Sequence, residues 1–195
     1  MSKEEIVKQT KLAFDFVRRL YLETSYFIKE VEGILQQEEE EFEILRPSGY
    51  GITTFRSIGL ESGVEDWCIR KGTVFFVAKQ NTELSRGQTI TRFKPELRVV
   101  LLRFVLHDKD LAEPEICAGV ISDIVQKVDT PKFEAHAWKF AYHDKRILRD
   151  SGESTYEDGE ISFRLNLMKK PLYDMSNAED IQKQIVDPVL AIYRQ

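Results

Sequence analysis

SKEEIVKQTKLAFDFVRRLYLETSYFIKEVEGILQQ, residues 2–37, reads as one long helix with an unbroken apolar seam. Ile6, Thr10, Ala13, Val17, Leu20, Thr24, Phe27, Val31 and Ile34 recur at alternating spacings of four and three. Two inward positions per heptad is the period at which a helix keeps one line of side chains against a neighbour. Phe14, Tyr21, Ile28 and Leu35 form a second stripe one residue over and widen that face. Ser2 and Glu5 have the spacing of a capping box, in which hydroxyl and carboxylate satisfy orphan backbone donors. Gly33 weakens the helix near its end. The run Glu38-Glu39-Glu40-Glu41 predicts a solvated, fraying C-terminus, because four like charges there oppose the helix macrodipole.

Downstream the pattern changes from helix to strand. Residues 42–46 and 50–58 flank Pro47-Ser48-Gly49 and read as a hairpin. Residues 64–70 and 73–78 flank Lys71-Gly72 and read as a second. The polar stretch 79–94 is the longest loop candidate. Residues 97–106 are apolar on both parities, as a strand buried on both faces at a sheet centre would be. Residues 116–125 predict another strand. Residues 131–149 fit a helix behind Thr130 better than a strand, since alanine-rich sequence suits strands poorly. Residues 161–167 alternate as a half-exposed strand. Ser176 with Glu179 reads as the cap of a last helix carrying Ile181, Ile185, Val189 and Ile192, kinked or restarted at Pro188. Strands in a run, bounded by helices at both ends, define an α+β fold. The expected architecture is a single domain over 1–195, a largely antiparallel sheet of about six to seven strands packed by the N-terminal and C-terminal helices.

Composition bounds the function more than it reveals it. With 195 residues, 42% hydrophobic and 31% charged, the chain can bury a globular core. No apolar run approaches the ~20 residues that cross a bilayer, so no membrane association is expected. Cys68 and Cys117 lie in apolar strand-like segments and read as buried reduced thiols, which points to the cytoplasm. The net charge of −5 is uneven: residues 46–103 carry an excess of basic groups, and the segments on either side an excess of acidic ones. That pattern suits internal complementarity or an anionic partner, while overall acidity disfavours a dedicated nucleic-acid binder.

Chemistry-bearing constellations are scarce. His107, His136 and His143 have no spacing that gathers them on one metal, so neither a metal nor another cofactor is expected. No acid-x-Lys pair of the kind nucleases use occurs, and no serine-hydrolase elbow. Gly49-Tyr50-Gly51 leads into a strand rather than a helix and lacks the Lys-Ser/Thr of a phosphate loop. His107 with Asp108 and Asp110 is the best local cluster for general acid–base work. Lys79, Arg86, Arg92, Lys94 and Arg98 form a basic stretch that could hold an anion, with Phe93 the only aromatic inside it.

Three function classes follow. The first is a non-catalytic interaction or regulatory protein. It would bind another protein or a second copy through Ala13, Val17, Leu20, Phe27, Val31 and Ile34, or through the sheet surface. The second is a nucleic-acid or anionic-nucleotide binder through 79–98. The third is an enzyme assembled around His107 and Asp108 or Asp110. Motif poverty also fits a small bacterial accessory protein, defence operons included, although no residue carries that reading.

Overall fold

A computed structural model of the chain describes residues 1–45, 53–54, 69–81, 96–108, 111–128 and 151–195. The helix expected over 131–149, the Gly49-Tyr50-Gly51 turn and Cys68 lie outside these residues.

Helix α1 (Lys3–Gln36) starts where the capping box places it. Ser2 Oγ accepts from the Glu5 amide at 3.2 Å, and the Glu5 carboxylate accepts from the Ser2 amide at 2.6 Å. Seven strands follow: β1 (Phe42–Leu45), β2 (Thr53–Thr54), β3 (Lys71–Ala78), β4 (Val99–Val105), β5 (Glu115–Gln126), β6 (Gly152–Glu157) and β7 (Ile161–Pro171). They form one antiparallel sheet in the order β1-β3-β4-β5-β7-β6, with β2 also on β3. The chain closes with α2 (Ala178–Ile181), a π turn (Gln182–Val186) and α3 (Asp187–Tyr193). The architecture is the α+β arrangement expected, with β4 buried along its whole length near the sheet centre.

The described strands do not pair as the expected hairpins would, and residues 46–52, 55–58 and 64–68 of those hairpins lie outside the described residues. β1 and β2 lie one after the other along the same edge of β3, Phe42 opposite Ala78 and Thr53 opposite Thr73. Their backbone groups are therefore spent on β3 rather than on each other. Lys71-Gly72 is not a turn but the start of β3. Gly72 is there for space: a Cβ on it would meet the Phe104 ring on β4 at 2.3 Å. Strand β6 has no sequence signal, because only Tyr156 of its six residues is buried. It is an edge strand defined by pairing with β7 around Asp158, whose carboxylate accepts from the Glu160 and Ile161 amides and from the Tyr156 hydroxyl.

Two apolar layers use the two faces of the sheet. On the first, Val74, Phe76, Val100, Leu102, Phe104, Ile116 and Val120 form one cluster with Phe27, Val31 and Leu35 of α1. Ile185, Val189 and Tyr193 of the C-terminal helices join it, and Phe42 meets Tyr193 edge-on with ring centroids 4.9 Å apart. On the second face Phe75, Val77, Val99, Leu101, Cys117 and Ile121 cluster with Phe163, Leu165 and Leu167 of β7.

The C-terminal helix begins one residue later than the sequence suggests. Asn177, not Ser176, is the N-cap, and its side chain accepts from the Asp180 amide at 2.9 Å. The restart at Pro188 takes the form of the π turn, with the Asp187 amide donating to the Gln182 carbonyl. Proline has no N–H and its ring crowds the preceding turn, so the wider turn accommodates it.

The glutamate run after α1 is pinned rather than frayed. Arg194 donates to both oxygens of Glu40 at 2.8 Å and to Glu38 at 3.0 Å, and Lys79 donates to Glu41 at 2.5 Å. Hydrogen bonding to Arg194 holds the Glu40 carboxyl below its ordinary value of 4.5. This clasp ties the end of α1 to the C-terminus. A lowered carboxylate stabilises the fold above its unfolded value, and that contribution is lost as pH falls through the folded one. Arg194→Ala should cost roughly 1 kcal/mol at neutral pH, discounted because the guanidinium is partly exposed. In denaturant titrations the gap between variant and wild type should close as the pH drops below 4.5.

Candidate partner-binding helix

α1 has two halves with one periodicity and different surroundings. At about 1.5 Å per residue the helix is ~51 Å long. From Leu20 onward its seam packs on the first face of the sheet: Thr24, Phe27, Ile28, Val31 and Leu35 are buried, and Leu20, Tyr21 and Ile34 are partly so. The Thr24 hydroxyl donates to the Leu20 carbonyl at 2.8 Å, which satisfies it inside this apolar contact. Towards the N-terminus the same seam continues as Val17, Ala13, Thr10 and Ile6. There residues 1–16 are all exposed, and Val17 is half-buried.

The bare segment is not a polar helix. Ile6 is 48% exposed, Phe14 72% and Phe16 62%, and Val7, Leu12 and Leu22 are exposed as well. On a helical projection Phe14 and Phe16 stand to either side of the Ile6-Thr10-Ala13-Val17 line, so seam and flanks make one apolar surface. Val7 lies one heptad before Phe14, on the line of the second stripe. No seam or stripe marks Phe16 or Leu12; their significance comes from being uncovered.

Of the six partner-binding candidates, Ala13 and Val17 lie on this bare segment, and Leu20 is at its boundary. Phe27 and Val31 belong to the protein's own core, and Ile34 packs against it.

The basic candidates divide similarly. Lys79 is taken up by Glu41. Arg98 donates to the Tyr193 carbonyl, placing a cation at the end of α3 where the helix dipole favours it. Arg86, Arg92 and Lys94 lie outside the described residues. In the proposed acid–base cluster Asp108 is ion-paired with Lys71, the first residue of β3. His107 is exposed beside it, and Asp110 lies outside the described residues. The pair closes the end of the β3–β4 ladder.

Cys117 is a free, buried thiol on the second face of the sheet. It is level with Arg103 on β4, and Arg103 with Thr73 on β3. Burial pushes its pKa up to about 11, with Arg103 opposing. The thiolate is the reactive form, so Cys117 should be inert near neutral pH. In a Cys68→Ser variant, Ellman's reagent should label Cys117 only after denaturant is added; labelling of that native variant at the rate of a free thiol would contradict the burial. Among the described residues no three His, Cys, Asp or Glu side chains come together to hold a metal. No described helix is long and apolar enough to cross a membrane.

No protein-family model, no curated protein and no solved structure matches this chain.

Proposed function

We propose that the protein is a non-catalytic interaction module whose binding surface is the uncovered N-terminal half of α1. The observation that carries this reading is the change of surroundings along one seam. The face that packs on the sheet at Thr24, Phe27 and Val31 stays exposed at Ile6, Thr10 and Ala13. Helical segments of this length are marginal in water without tertiary contacts, because propagation barely outweighs nucleation. Large apolar side chains gathered on one exposed surface mark an interaction site rather than a solvated face. Opposed charge blocks and the absence of a recognisable catalytic spacing in the sequence support the same reading.

Hydrogen exchange on the full-length protein tests it. The amides of residues 5–19 should exchange within seconds when the chain is dilute and alone, and become protected in a complex. Slow exchange there in a strictly monomeric sample would mean that the chain covers this face itself, and would end the proposal.

A further inference from the structure

We draw no further inference here: the strongest candidate, the exposed apolar face on the N-terminal half of α1, belongs to the site already described, and nothing in the structure shows what covers it.

Discussion

Val31→Asp should leave the protein unable to fold, whereas Val17→Asp, two heptads earlier on the same seam, should leave the monomer's stability nearly unchanged. Val31 is 2% exposed, enclosed by the first-face cluster that joins α1, the sheet and the C-terminal helices. Removing its side chain forfeits roughly 1.5–3 kcal/mol of apolar burial. Placing an uncompensated carboxylate there adds a penalty on the order of 3–5 kcal/mol, part of which is avoided if the acid stays protonated. Together, about 4.5–8 kcal/mol, these reach the lower half of the stability range of an ordinary domain, about 5–15 kcal/mol. Urea titrations followed by circular dichroism should show no cooperative transition for Val31→Asp and a near-native midpoint for Val17→Asp. Equal losses for both would mean that the N-terminal half of α1 is packed as tightly as the C-terminal half.

Gly119→Ala should be the most damaging single-methyl change in the sheet. Gly119 sits on β5 between Leu101 of β4 and Leu167 of β7. A Cβ there would lie 2.1 Å from the Asn166 carbonyl oxygen and 2.9 Å from the Leu167 Cα. Both are backbone atoms of β7, so no rotamer change relieves the overlap. β5 and β7 would have to separate where they join the two halves of the sheet. The expected loss is about 3 kcal/mol or more, the upper end for overpacking. Gly72→Ala presses on the Phe104 ring rather than on backbone. The whole Phe104 side chain can shift about χ1, which a backbone cannot, so the cost there should be smaller, about 1–2 kcal/mol. Denaturant midpoints of the two variants give the comparison directly, and a Gly119→Ala variant as stable as wild type would show that the strands approach less closely.

Local signals set the helix, its start and the central strand. The capping box at Ser2 and Glu5, the seam from Ile6 to Ile34 and the double-sided apolarity of 97–106 each depend on residues within a few positions of one another. Such patterns survive translation into structure because backbone geometry alone relates those residues. Pairings could not be read in this way. Pro47-Ser48-Gly49 has turn composition, yet β1 and β2 both join β3, and Lys71-Gly72 lies inside a strand. The glycine is explained by the Phe104 ring, a neighbour more than thirty residues away. β6 is polar and earns its place only through β7.

The candidate site shows the same division. By itself the sequence determined that α1 carries one continuous apolar seam, because 3.5-residue periodicity is written in the order of the side chains. Only the tertiary structure decided which part of the seam is core and which part is free. The sheet and the C-terminal helices reach as far as Leu20 and Thr24, while Ile6, Thr10 and Ala13 lie beyond them. Burial is a relation between distant segments, and periodicity along a single helix cannot encode where its neighbour ends.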